Sequence, residues 1–411
     1  MPATPMKNLL YRAALPLLAP GVRGKLRLDM SGHPITEAAS LRRVLEKNHV
    51  HGACVMLADG GRTTRCDVSV SGGAHPKAAG EDTIYRVASI TKTATALVTL
   101  ILTDSGLLVS TGPDGSDMPN VYDSLFSLDE SVANLLPRGE GSALLEGVTL
   151  RHLLSHTSGL RDTPALDAAL ARGESFHKVL TAPGCVASKP GERFAYSNLG
   201  FGLIGCVIEY MTGKPVSLVF DEMLFAPLGM RATLDGSTLD EKQIMPITRI
   251  LSRRRHKDVT ITKLGRIPLN EPDPLRHFGH TAGAMYTDAP SLSRMLTFIA
   301  QRGEWEGRQL LSPESIDMMT AEHASYGQLS PTMRYGLGLI LIDDPALSGH
   351  TIIGHQGFAY GCVDGAFLEC GTGRQVISLN GGASEARIGR IGCVNLDVLR
   401  WAFRKELPQW K

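Results

Sequence analysis

The chain has 411 residues, 43% hydrophobic and 20% charged, with a formal net charge of +1 at pH 7. That length buries a large core, and the composition is that of an ordinary globular protein rather than a disordered or fibrous one. The near-zero net charge gives no sign of a nucleic-acid partner, and no apolar run reaches the length of a membrane span. Seven cysteines, none in C-x-x-C spacing, read as small buried hydrophobes of a reducing compartment. A cytoplasmic location is the expectation. Export on a weak apolar stretch at 9–19, interrupted by Arg12 and Pro16, is the alternative.

In chain order, residues 1–35 read as an N-terminal arm. Thr36 caps a predicted helix to Lys47 with Leu41, Val44 and Leu45 on one face. Strands are predicted at 51–58 and 65–71, joined across Asp59-Gly60-Gly61, a hairpin signal. Residues 83–88 are β-branched and aromatic and lead into a helix that ends soon after Asp104. Residues 109–126 are rich in Gly, Pro, Ser and Asp and read as an inserted loop. Helical patterns follow at 132–136, 150–154, 201–211, 216–224, 291–301 and 313–319. After about residue 334 the texture changes to short strands at 335–340, 351–355, 362–368 and 375–380, closed by an amphipathic helix over 388–404. Strands at both ends with helices between predict an α+β fold. One antiparallel sheet is formed by both chain ends (36–88 and 334–405) and flanked by helices, with a mostly helical lobe (89–333) inserted, so that 36–405 is one unit.

The chemistry concentrates in three places. Ser89-Ile90-Thr91-Lys92 sits where the extended run becomes a helix, so Lys92 shares a helical face with Ser89 and its amine can reach the hydroxyl. Burial there would favour the neutral amine, which can take a serine proton. Tyr196-Ser197-Asn198 precedes the helix at 201 and offers a phenol for proton relay and an amide that both donates and accepts. Gly354-His355-Gln356-Gly357 ends a predicted strand, where glycine permits close backbone approach and the next N–H, that of Phe358, can help form an oxyanion hole.

The order Ser-x-x-Lys, Tyr-x-Asn, His-x-Gly resembles the serine β-lactamase and penicillin-binding superfamily, in its class C-like branch of family VIII esterases, D-aminopeptidases and D-Ala-D-Ala carboxypeptidases. Leu153-Leu154-Ser155-His156-Thr157-Ser158-Gly159-Leu160, Pro190-Gly191, Pro227-Leu228-Gly229-Met230 and 281–287 are similar to segments of the same branch. The resemblance spans about 37–405 and implies a β-lactamase/transpeptidase-like fold with a cleft between its two lobes. It implies Ser89 as nucleophile, Lys92 as its partner in proton transfer, and Tyr196 as second acid/base with phenolate character favoured by Lys92. Lys92 and Tyr196 remain alternatives for the general base. Asn198 would orient substrate, the N–H groups of Ser89 and Phe358 would form the oxyanion hole beside Gly357, and His355 would line the cleft. His156 and Ser158 are expected to be structural, and no metal or organic cofactor is required.

In the third motif this chain departs from the branch, carrying His-Gln-Gly where β-lactamases have K-T-G and the carboxypeptidases H-T-G. The loss of Lys and Thr argues against an efficient β-lactamase, with the Gln356 amide left to offer. The expected function is a serine hydrolase acting through an acyl-enzyme on small-molecule esters, amides or D-amino-acid-containing substrates. An acyltransferase using the same residues and a non-catalytic penicillin-binding or receptor module are the alternatives.

Overall fold

The structure, a computed structural model, describes residues 26–32, 38–50, 52–70, 79–104, 110–111, 117–118, 126–248, 255–256, 268–327 and 331–403. Most of the inserted loop expected at 109–126, and the arm before residue 26, lie outside the described residues.

The main strands are β1 (Leu26–Gly32), β2 (Ala53–Asp59), β3 (Arg62–Val70), β4 (Tyr85–Arg86), β5 (Ala232–Thr233), β6 (Tyr286–Thr287), β7 (Ala324–Gly327), β8 (Thr332–Tyr335), β9 (Ile340–Asp343), β10 (Ile352–Ala359), β11 (Cys362–Glu369) and β12 (Gln375–Asn380). The main helices are α1 (Ala38–Lys47), α2 (Thr91–Thr103), α3 (Leu150–Leu154), α4 (Pro164–Arg172), α5 (Asn198–Thr212), α6 (Ala289–Ala300), α7 (Pro313–Thr320) and α8 (Cys393–Phe403). Nine strands form one sheet in the order β1-β3-β2-β12-β11-β10-β9-β8-β7, and every pairing is antiparallel. The two chain ends meet where β12 pairs with β2, Gln375 opposite Ala58 through Asn380 opposite Ala53. The α+β layout expected from the sequence is present.

Local chemistry explains the turns. Gly60 and Gly61 adopt φ of +52° and +82° between Asp59 and its partner Arg62, the two positive values that a two-residue hairpin with the right twist demands. The sheet separates two cores by strand alternation: along β2, Cys54 and Met56 join one cluster while Ala53, Val55 and Leu57 join the other. Helices α1 and α8 pack on the second face, and α2, α5 and α6 belong to the first.

Four expectations need correction. Residues 132–136, read as helical, form turns, since Pro137 follows too soon for a helix to propagate. The closing helix expected from 388 begins only at Cys393, because 387–392 form a short hairpin that turns at Gly389 with φ +57°. Residues 26–32, read as part of the arm, form the edge strand β1, paired from Leu26–Val70 to Gly32–Thr64. Its alternation is too polar to stand out, because an edge strand buries little. The single strand expected over 335–340 is two strands with a turn between them. Gly338 there adopts φ +68°, and a Cβ on it would lie 2.6 Å from the Lys92 carbonyl oxygen and from Ala96 Cβ. The turn thus wedges directly onto α2, a tertiary demand that local propensity does not express.

Among the described residues, no single helix is long and apolar enough to cross a membrane. No two of the seven cysteines are joined in a disulfide, and six are buried.

Candidate active site

Helix α2 is buried from Thr91 through Leu102, so Lys92 is drawn into the interior with no exposed surface. It starts from a 3-10 turn at Ala88–Ile90, and Ala88 takes the left-handed value φ +46°. Thr91 stabilises this start, its hydroxyl donating to the Ala88 carbonyl at 2.6 Å and accepting from Met285 N–H at 3.1 Å. Ser89 is thereby presented at the wall of a cleft of about 380 Å³, lined also by Asn198, Phe278, Ala282, Phe358 and Tyr360.

Lys92 Nζ lies 3.2 Å from Ser89 Oγ, 2.8 Å from Asn198 Oδ1 and 2.5 Å from the Ala282 carbonyl oxygen. Burial lowers its pKa from 10.5 to about 7, and the Asp162 carboxylate opposes that shift. A neutral amine has two N–H bonds and one lone pair. Asn198 Oδ1 and the Ala282 carbonyl accept the two N–H bonds, which leaves the lone pair for the serine.

Tyr196 arrives from a loop held by the 156–159 segment. Ala187, Gly191 and Ala195 donate their N–H groups to the carbonyls of Gly159, Thr157 and His156, at 2.9, 2.7 and 2.7 Å. Ser197 N–H donates to His156 Nδ1 at 3.1 Å, and the imidazole lies against the Tyr196 ring with centroids 4.2 Å apart. Burial drives the His156 pKa well down, so it is a neutral packing element, in the structural role expected of it. The Tyr196 phenol hydrogen-bonds Ser89, yet burial foremost, and then Tyr326, push its pKa up. The phenolate character expected from the nearby lysine finds no support: desolvation disfavours the anion, and an amine with a pKa near 7 carries only about half a charge at neutral pH.

The third motif is placed differently from expectation. Strand β9 pairs with β10 only from Ile352 to Gly354, so the far end of β10 leaves that neighbour and reaches the cleft, where Phe358 lines the wall. Gly357 permits the approach: a Cβ there would stand 2.3 Å from the Val87 carbonyl oxygen and 3.3 Å from Ala88 Cβ. His355, expected at the cleft, is instead buried beneath it. Its Nδ1 bonds the Gln356 carbonyl at 2.7 Å, its Nε2 meets the Tyr335 hydroxyl at 3.0 Å, and burial takes its pKa down to about 3. The Gln356 amide is also committed, donating to the Arg390 carbonyl at 2.7 Å and accepting Gly392 N–H at 3.0 Å. Neither side chain is left for a substrate carboxylate.

Sequence reasoning passed over two groups. Arg387 lines the cleft with its guanidinium 3.9 Å over the Phe358 ring. Asp162 accepts the N–H groups of Asn198 and Leu199 at the start of α5 and the Asn198 side-chain amide. Both are far in sequence from the motifs they touch, so no spacing announces them. Among the described residues, no group of three or more His, Cys, Asp or Glu could hold a metal ion.

The profile of the Beta-lactamase family matches residues 38–368, well over half of the chain. The chain belongs to the Beta-lactamase family. Esterase EstB of Burkholderia gladioli is 30% identical over 167 residues, which cover 37% of this chain and 38% of EstB. The D-alanyl-D-alanine-carboxypeptidase/endopeptidase AmpH of Escherichia coli is 24% identical over 234 residues, 54% of this chain and 56% of AmpH. Among solved structures, a D-stereospecific amidohydrolase from Streptomyces is similar with a TM-score of 0.63 at 25% identity, covering 89% of this chain and 98% of that one. The fold is the β-lactamase/transpeptidase-like one that the motifs implied, in a family of β-lactamase-fold serine hydrolases with esterase and amidase members.

Proposed function

We propose that this chain is a serine hydrolase that cleaves esters and amides, D-amino-acid amides included, through an acyl-enzyme on Ser89. The observation that carries the reading is the environment of Lys92: wholly buried, with a pKa near 7, its two N–H bonds accepted by Asn198 and Ala282, and 3.2 Å from Ser89 Oγ. That favours Lys92 over Tyr196 as the base.

In this mechanism neutral Lys92 takes the Ser89 proton as Oγ forms a bond to the substrate carbonyl carbon. The oxyanion is held by the backbone N–H groups of Ser89 and Phe358. Tyr196, protonated and bonded to Ser89, passes a proton to the departing alcohol or amine as the carbon–oxygen or carbon–nitrogen bond breaks. Lys92 then hands the serine proton on to Tyr196, which restores both groups. In the second half water gives a proton to neutral Lys92 as it attacks the acyl carbon, and that proton returns to Ser89 Oγ as the acid is released. The esterase and D-stereospecific amidohydrolase similarities support both substrate classes. Gln356, tied to residues 390–392, supports little penicillin hydrolysis.

The test is turnover of a chromogenic short-chain ester and a D-amino-acid anilide by the wild type and by Ser89→Ala, with mass spectrometry of the trapped intermediate. The expected result is an acyl adduct on Ser89 and no turnover by the variant. Turnover retained by purified Ser89→Ala refutes the assignment. Faster product release with an added alcohol or amine, relative to water alone, identifies acyl transfer on the same serine.

A further inference from the structure

We propose that Asp162 is a positioning residue of this site, gripping the amide of Asn198 so that its oxygen faces Lys92 and holding that lysine in its working orientation and charge. The proposal rests on the roles of Ser89 and Lys92 given above.

Asp162 lies between the 153–160 segment and α4, remote in sequence from both catalytic motifs. Its Oδ1 accepts Asn198 N–H at 2.8 Å, Leu199 N–H at 3.0 Å and the Ser197 hydroxyl at 3.2 Å. Its Oδ2 accepts Asn198 N–H at 3.0 Å and the Asn198 Nδ2 amide at 2.8 Å. Helix capping does not require all of this, because α5 already has a side-chain cap: Ser197 Oγ accepts Gly200 N–H at 3.1 Å. What Asp162 adds is the bond to the side chain of Asn198.

That bond selects one of two amide orientations. A carboxylate only accepts, so it receives the NH₂ end of Asn198 and leaves Oδ1 to point the other way. There Lys92 Nζ donates to it at 2.8 Å. With the amide turned over, its NH₂ would meet the amine of Lys92 in place of an acceptor, and the lysine would lose the contact that helps direct its lone pair at Ser89.

Charge adds to orientation. The groups around Lys92 are Ser89 and Tyr196 on the cleft side, His156 from the 156–159 segment, His355 from β10, and Asn198 at the start of α5. The two imidazoles are neutral because burial lowers both, and the Tyr196 phenol is kept protonated by burial. Asp162 is the carboxylate that favours protonated Lys92, against the desolvation that lowers it. Removing its charge must move the Lys92 titration to lower pH; bringing a carboxylate into direct contact must move it higher.

The experiment measures kcat, and kcat/KM against pH, for a chromogenic short-chain ester, with the urea midpoint of each protein as control. The proteins are wild type, Asp162→Asn, Asp162→Glu, and the exchange Asp162→Asn with Asn198→Asp. Asp162→Asn is expected to lose at least about tenfold in kcat, since small misplacement of a catalytic group is costly. Its acid limb moves to lower pH, and Asp162→Glu recovers part of the rate. The exchange restores an acceptor facing Lys92 and moves the limb above that of wild type. If every variant keeps the wild-type limb and kcat while only the midpoint falls, Asp162 is a helix cap and the proposal is overturned. Activity retained by Ser89→Ala would instead refute the nucleophile, a separate failure with a separate signature.

Discussion

Replacing Lys92 by Met should stabilise the protein at neutral pH while abolishing catalysis. In the unfolded chain the amine titrates near 10.5; in the fold burial takes it to about 7, a difference worth about 5 kcal/mol between the protonation states. The sign follows from proton counts. Between these two values the unfolded state binds the proton and the fold does not, so stability rises with pH across the window and is lost as pH falls toward 7. At pH 7 nearly the whole burden is present; at pH 10 only about 1 kcal/mol of it remains. Met fills a similar volume without the charge, but it gives up the bonds to Asn198 Oδ1 and the Ala282 carbonyl. The contact at Asn198 Oδ1 is only part-buried and can rehydrate, while the Ala282 carbonyl, buried at its contact with Lys92, is stranded at a cost of about 1–3 kcal/mol. The net expectation is a gain of about 1–3 kcal/mol for Lys92→Met at pH 7, turning into a loss at pH 10. Urea unfolding at both pH values, with unchanged slope, reads this directly. A variant less stable than wild type at pH 7, or a difference that does not vary with pH, would refute the reasoning.

Gly357→Ala places a methyl 2.3 Å from the Val87 carbonyl oxygen, so β10 must retreat from the Ser89 turn. Ester kcat/KM is expected to fall by about two orders of magnitude, with the chain still folded by circular dichroism. Because Gln356 is bound to residues 390–392, ester hydrolysis should exceed penicillin hydrolysis by at least about 100-fold in kcat/KM, roughly 3 kcal/mol of transition-state binding, and comparable rates would show another residue anchoring the carboxylate. Wild-type kcat/KM on the ester should rise with pH through about 7 as Lys92 loses its proton, and a flat profile from pH 6 to 8 would remove the lysine as base.

By itself the sequence determined the parts that depend on local pattern. The Ser89–Lys92 spacing is a helical spacing, and the helix brings the two side chains to 3.2 Å as periodicity requires. The Asp59-Gly60-Gly61 hairpin and the strands at each end are equally local, and with the helical middle they led to one sheet closed by both termini. The protonation of the site was decided only in three dimensions. Whether Tyr196 is phenol or phenolate depends on how deeply its ring is buried against His156, and whether His355 faces the cleft depends on Tyr335, twenty residues earlier, bonding it below. Gln356 reads as an available amide until residues 390–392 fold over it, and Asp162 reads as a loop carboxylate until α5 begins beside it. Burial and partner choice are properties of the packed whole, and in a cleft lined by distant stretches of the chain they settle which residues hold charge, which hold protons and which only hold their neighbours.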